Sequence, residues 1–465
     1  MKLVDLLGDQ LPVNVHANIE VRRVEVDSRA CEPDTLFFAM PGRIADGVHF
    51  VDDAVRNGAV VVIATSTVSS NVPSFVVSPA QQQALLQLAS ARVAGSPEVG
   101  VRFVGITGTN GKTSVATLMS ELWQSLGMSA ATIGTLTSAR TTPAPPELFR
   151  TLASIRNEWG PYPTRPLVSM EVSSHAIDQH RIDALRFSVA IFTNLSQDHL
   201  DYHGSMDSYY EAKRQLFESR HSDVAVVWVG DPYGARLADE LSIPVTRVNR
   251  DEAVNVRLHR DGTSFEWRGH NIESPLIGDF NIDNALLVLS AGSILGVSAA
   301  DMALAFRTVA RVPGRFEIVS DKGPTVVVDY AHTPDALRRL ITSARELAGK
   351  ARVIVVFGCG GERDHAKRPT MGSIATNLAD VVVLTSDNPR SESPEMILDE
   401  IESGCEPGST YFRESDRREA IALALNVALP YDVVLVAGKG HERSQIIGDS
   451  VVDFDDRVVI RELLA

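Results

Sequence analysis

At 465 residues the chain is too long for one core, and its length predicts two to four domains. With 44% apolar and 22% charged residues and a formal charge of −15, it has the composition of an ordinary folded protein and argues against a general nucleic-acid-binding surface. Three widely spaced cysteines (Cys31, Cys359, Cys405) argue against a disulfide framework and a zinc cluster, and neither a secretory signal nor an apolar run near the roughly 20 residues of a bilayer span is present, so a cytoplasmic protein is expected.

Short Val/Ile-rich runs alternate with helical segments, which predicts an α/β protein built on parallel sheets. A first unit, residues 1–98, contains the strands VEVDSR, TLFFAM and AVVVIAT and the helix PAQQQALLQLASARV. The stretch AGSPEVG breaks that helical pattern and reads as a connection. A second unit, residues 99–315, opens on the strand VRFVGIT and contains strands near PLVSMEV and FSVAIFTN and a helix over IDNALLVLSAGSILG. A third unit, residues 316–465, carries four apolar runs, TVVVDY, ARVIVVFG, ADVVVLTS and YDVVLVAG. Each is followed at once by a polar or glycine-rich segment. In open α/β sheets ligands bind beyond the carboxyl ends of strands, so those four segments are candidate site loops.

The strand VRFVGIT runs into Gly108, Thr109, Asn110, Gly111, Lys112 and Thr113, and then a helix. Glycines there let the backbone turn tightly and aim N–H groups at phosphate oxygens, at a helix N-terminus that favours anions. Lys112 is expected to reach the terminal phosphates, and the Thr113 hydroxyl to ligate Mg²⁺. The usual phosphate-loop spacing would put glycine at position 106, where this chain has Ile106; Gly105 lies one residue early.

The string TGTNGKT is the form seen in Mur ligases and folylpolyglutamate synthetases. It is followed in order by EVSSHAIDQHR, NLSQDHLDYHGSMDSYYEAK, GDFNIDNA, VPGRFE, DYAHTPDAL, DNPR and GKGHE. Together these resemble the Mur ligase family across all three units. The resemblance implies a three-domain architecture: an N-terminal UDP-sugar-binding domain, a central P-loop ATPase-type domain and a Rossmann-like C-terminal domain. It implies ATP-dependent amide formation in peptidoglycan precursor synthesis, in which ATP phosphorylates a carboxylate and an amine then displaces phosphate.

The resemblance also implies roles. Glu171 and His199, with Thr113, would hold Mg²⁺. Lys213 would be carbamylated by CO₂ and hold a second Mg²⁺, although on composition alone it reads as a solvated helix lysine. Asn281 and Asn284 resemble adenine-side residues, Arg315 a phosphate contact, and Asp329 and His332 part of the ATP cleft. Ser28, Arg29, Gly42 and Arg43 resemble a uridine-binding segment. Thr141, Thr142, Ser173, Gln179 and Arg181 resemble contacts to the muramoyl-dipeptide and its diphosphate. Position 140 is Arg, where some relatives have Asn.

The motif Asp387-Asn388-Pro389-Arg390 resembles that of members adding meso-diaminopimelate. A fixed guanidinium can pair with the second carboxylate of that amino acid and would repel the ammonium end of lysine. Arg363, Gly438 and Glu442 complete the matching set, with Glu442 a candidate partner for the distal ammonium. After GKGHE the chain reads Arg443-Ser444-Gln445, where an acidic or aromatic pair is more usual. The expected partners are therefore small molecules, UDP-MurNAc-L-Ala-D-Glu and meso-diaminopimelate. The alternatives are the same reaction with L-lysine, or a Mur-type ligase of another pathway.

Overall fold

The computed structural model describes residues 1–10, 18–42 and 45–465. Near the N-terminus, Arg23–Glu25, Thr35–Ala39, Ala59–Ala64 and Ser74–Val76 form a parallel four-stranded sheet in that order. The helix Pro79–Val93 starts with Pro79 in its first turn and with the Ser78 side chain accepting from Gln81 N–H, a serine cap of the preferred kind.

Six parallel strands make the central sheet, ordered Val245–Val248, Ala225–Trp228, Phe187–Phe192, Arg102–Thr107, Leu167–Glu171, Ala130–Ile133. Strand Arg102–Thr107 is interior, and its alternation shows why both faces are apolar. Val104 and Ile106 point into one core with the helices Lys112–Ser125 and Phe280–Ile294, while Phe103 points into another with Pro145–Trp159. Helix Phe280–Ile294 is buried over eleven residues because it is covered on nearly every side. Ile106 is fully buried and paired with Glu171 and Ile191, so the position where glycine was expected is still strand. The turn begins only at Gly108.

An antiparallel three-stranded sheet, Val254–His259, Gly262–Trp267 and His270–Ser274, was not foreseen from the sequence. Its first strand, VNVRLH, alternates apolar and polar residues but is mostly exposed, unlike the continuous apolar runs of the buried sheets.

In the last third the order is Glu317–Ser320, Thr325–Asp329, Val433–Ala437, Val353–Phe357, Val381–Leu384, Tyr411–Arg413. Only Glu317–Ser320 is antiparallel. The four apolar runs thus lie side by side, and all four carboxyl ends open on the same edge. A hairpin of Ser444–Ile447 and Ser450–Asp453 follows. No helix among the described residues is long and apolar enough to cross a membrane.

Candidate active site

A cleft of about 350 Å³ lies between the central and C-terminal sheets, lined by the turn after Thr107 and by loops from all four C-terminal strand ends. The turn is locked from behind. Thr109 N–H donates to Asn194 O (2.9 Å), Asn110 N–H to Asn194 Oδ1 (2.9 Å), and Thr193 Oγ1 to Asn110 O (2.6 Å). Gly108 and Gly111 have φ of +145° and +84°. A Cβ on Gly108 would stand 1.9 Å from Thr193 Oγ1, and one on Gly111 2.7 Å from Asn284 Oδ1, so conformation and close approach both demand glycine.

Two lysines converge on this turn. Lys112 Nζ donates to Gly108 O (2.9 Å) and Thr109 O (2.8 Å), and Lys213 Nζ, 1% exposed, donates to Gly108 O (2.9 Å). Burial, reinforced by the neighbouring Lys112 charge, pushes the Lys213 amine well below the ordinary lysine range. Its Nζ also lies 4.6 Å above the Tyr209 ring.

Thr113 Oγ1 donates to Glu171 Oε2 (3.0 Å) and accepts from Arg315 Nη2 (3.0 Å). Glu171, at the end of its strand, also accepts from Thr135 N–H (2.8 Å) and Thr135 Oγ1 (3.2 Å). His199 precedes the short helix Leu200–His203 and has a left-handed φ of +54°. Burial holds its imidazole down at about 3, so the ring is neutral near pH 7 and offers a lone pair. Beside it Asp198, overlooked in the sequence, is 7% exposed. Burial would raise its carboxyl, but His199, Lys367, His332 and Lys112 more than offset this and hold it below the carboxylate range.

The C-terminal region closes over these groups. Lys367 Nζ and His332 Nε2 each lie 3.9 Å from an Asp198 oxygen, and Gln197 Nε2 donates to Asp364 Oδ2 (2.9 Å). Asn110 reaches Asp335 and Thr333 at 3.3 Å each. Asp329 spends both oxygens on the backbone N–H groups of Phe316 and Ala331 (2.7 Å each), pinning the joint that carries Arg315 to the C-terminal sheet. The Arg315 guanidinium stacks 4.3 Å over the Tyr330 ring.

At the far end of the cleft lie Gly360, Arg363, Asp387, Asn388, Arg390, Gly438 and Glu442. Lys439, fully buried and also overlooked, donates to Asn388 Oδ1 and Glu442 Oε2 (3.1 Å each) and lies 3.8 Å from Asp387 Oδ1. Glu442 is therefore not a free carboxylate: Lys439 shares its charge, and Asn388 Nδ2 donates to it (2.9 Å). Arg417, buried with Asp456 in a bidentate pair (2.8 and 2.7 Å), donates to the carbonyls of Ser386 and Ala437 and so staples the bases of both loops.

Several expected site residues do not line this cleft. Asn281 donates to Ile277 O (2.7 Å) and accepts from Asn284 Nδ2 (3.0 Å), standing behind Asn284 as its support. Thr142, Gln179 and Arg181 form a side network with Ser173: Arg181 donates to Thr142 O (2.7 Å) and Gln179 Oε1 (2.6 Å), and Ser173 N–H to Thr142 Oγ1 (3.0 Å). Thr141 and Ser173 line the cleft at that margin. Ser28 and Arg29 lie in the one-turn helix Ser28–Ala30, where Arg29 makes a bidentate pair with Asp27. Gly42 stands against Ala45, and Arg43 lies outside the described residues.

Among the described residues no three His, Cys, Asp or Glu side chains are grouped to hold a metal ion by themselves. A hard cation here would draw on hydroxyl, carboxylate and phosphate oxygens together.

Three family models match successive stretches: "Mur ligase family, catalytic domain" over residues 20–104, "Mur ligase middle domain" over 106–292 and "Mur ligase, glutamate ligase domain" over 314–440. The chain is 41% identical to the UDP-N-acetylmuramoyl-L-alanyl-D-glutamate–2,6-diaminopimelate ligase of Geobacillus thermodenitrificans, over 99% of each chain. It is 38% identical to the Xylella fastidiosa enzyme of the same name, over 100% of this chain and 97% of that one. A solved structure of a ligase of that name superposes with a TM-score of 0.67 at 29% identity, covering 100% of this chain and 98% of the other. A MurF ligase from Thermotoga maritima in complex with ADP shares the fold at a TM-score of 0.67, 19% identity and 96% coverage of each chain. With all three models matched in order and two-fifths identity sustained over the full length, this chain belongs to the Mur ligase family.

Proposed function

We propose that the chain joins meso-diaminopimelate to the D-glutamate carboxylate of UDP-MurNAc-L-Ala-D-Glu, at the expense of ATP, as a cytoplasmic step of peptidoglycan precursor synthesis. The observation that carries this is the cleft itself. One end is a phosphate-binding turn with Lys112 and Arg315, and the other presents Arg390 and Arg363 beside an acidic pair that Lys439 partly neutralises. The names borne by the relatives point the same way.

Backbone N–H groups at the start of the helix Lys112–Ser125 and the Lys112 side chain bind the ATP phosphates, and Arg315 crosses the joint to neutralise charge at the terminal one. The peptide carboxylate attacks that phosphorus, giving an acyl phosphate and ADP. The amine then adds to the acyl carbon, and the tetrahedral species expels phosphate. Closure of the C-terminal region through Asp198, Lys367 and His332 keeps water from the acyl phosphate.

Thr113, Glu171 and neutral His199 have the donor chemistry for Mg²⁺, and a metal ion there would draw the mutually repelling phosphate and carboxylate oxygens together. Lys213 fits carbamylation, since burial lowers its amine well below the ordinary lysine range and the free amine is the form that adds to CO₂. Its ammonium would become an anion able to hold a second Mg²⁺.

The test is phosphate release from ATP with each substrate omitted in turn. Release that requires both the nucleotide substrate and diaminopimelate is expected. Release indifferent to both would mark a nucleotidase and overturn the proposal.

A further inference from the structure

The hairpin after GKGHE makes an unusual set of bonds. The outer faces of its strands are poorly packed, with Val451 69% and Val452 48% exposed, so core burial does not explain it. Its bonds go instead to the segment at 387–390. The Arg390 N–H donates to Ile446 O (3.0 Å), and Gly448 N–H donates to Arg390 O (2.7 Å). Ile446 N–H donates to Asn388 Oδ1 (3.1 Å). Gln445, 7% exposed, donates through Nε2 to Asp387 O (2.7 Å).

These bonds hold Arg390 in a conformation that it would not adopt unaided. Its φ is +54°, the left-handed region that side-chain-bearing residues rarely enter and that persists only where the surroundings over-determine it. The side chain is then fixed by one donated bond, Nη1 to Gly361 O (2.6 Å). No acidic side chain among the described residues forms an ion pair with it, although it lines the cleft. A guanidinium so held, with donors to spare, suits an incoming carboxylate.

Building on the diaminopimelate reading above, we propose that Gln445 and the hairpin at 444–453 are the positioning element for amino-acid selection. They clamp the backbone of 387–390 so that the Arg390 guanidinium meets the distal carboxylate of a diamino diacid. Gln445 acts through its amide donor and touches no substrate.

Gln445→Met keeps the volume and removes the donor. With ATP and nucleotide substrate saturating, the KM for meso-diaminopimelate should rise about tenfold or more, and the KM for ATP should move less than about twofold. Preference over L-lysine should fall in step. Because Gln445 acts through Arg390, adding Gln445→Met to Arg390→Ala should change diaminopimelate use no further, a coupling that general destabilisation would not produce. Gly448→Ala is the second variant. Its Cβ meets nothing within 4 Å, but φ of +57° strains the bond to Arg390 O, so it should move KM in the same direction even if Gln445→Met proves insoluble. Wild-type turnover with diaminopimelate, combined with an unchanged KM in these variants or equal losses in both Arg390 backgrounds, overturns this inference alone. Wild-type turnover with L-lysine only overturns the functional proposal and this inference with it.

Discussion

Lys112 and Lys213 donate to a single acceptor, the carbonyl oxygen of Gly108, each at 2.9 Å. Two ammonium groups sharing one carbonyl in a buried site repel each other, and the deeper one gives up its proton more readily. In the carbamylation proposal Lys213, 105 residues from Gly108 along the chain, is the amine of the pair that reacts. Lys213→Ala is expected to lower kcat about 100-fold or more, as removal of a charge-stabilising group does. Native mass spectrometry of the wild type should show one added CO₂, lost on mild acidification. Full activity of the alanine variant would contradict the carbamylation proposal.

Arg315 sits at the joint yet bonds Thr113, and the proposed mechanism gives it the task of coupling closure to chemistry. Arg315→Ala should reduce kcat by about 10²–10³-fold. Arg315→Lys should restore little of it, since an ammonium can neither stack on Tyr330 as a plane nor bridge Thr113 and phosphate with a fork. Steady-state kinetics in varied ATP check this. A lysine variant with wild-type kcat would mean that charge alone suffices.

Burial holds His175 and His441 at about 4. Unfolded, each titrates near 6.5. Below that value the unfolded chain takes up protons that the folded chain refuses, so stability is full above pH 6.5 and is lost as the pH falls toward 4. Calorimetry without nucleotide or divalent cation should show the melting temperature falling by on the order of a few degrees between pH 7 and 5. His441→Asn should flatten the slope. A variant with the wild-type slope would remove His441 from this account.

Much of the scaffold was legible because a continuous apolar run is a local signal. Val104 and Ile106 against Phe103 announce a strand buried on both faces, and the Gly108–Thr113 turn follows from it. The strands at 254–274 were missed because they are half-exposed and mix polar with apolar residues, as in VNVRLH, and form no such run. The site was readable only where motifs could be matched. Lys213 looks like a surface lysine because its burial comes from segments distant in the chain, and the same holds for Asp198, which gains Lys367 and His332 only when two sheets meet. Asn281 and Asn284 were both expected on the adenine side from the motif GDFNIDNA, and of the two Asn284 lines the cleft. Which of two helical asparagines faces a ligand depends on what packs behind them.

The most direct test of the whole account is the mass of the nucleotide product when ATP, Mg²⁺ and UDP-MurNAc-L-Ala-D-Glu are supplied with equal concentrations of meso-diaminopimelate and L-lysine. The account predicts the diaminopimelate tripeptide as the dominant product, and its specific loss in Arg390→Ala while ADP binding persists. A product mass corresponding to lysine addition, or an Arg390→Ala enzyme that still selects diaminopimelate, would contradict it.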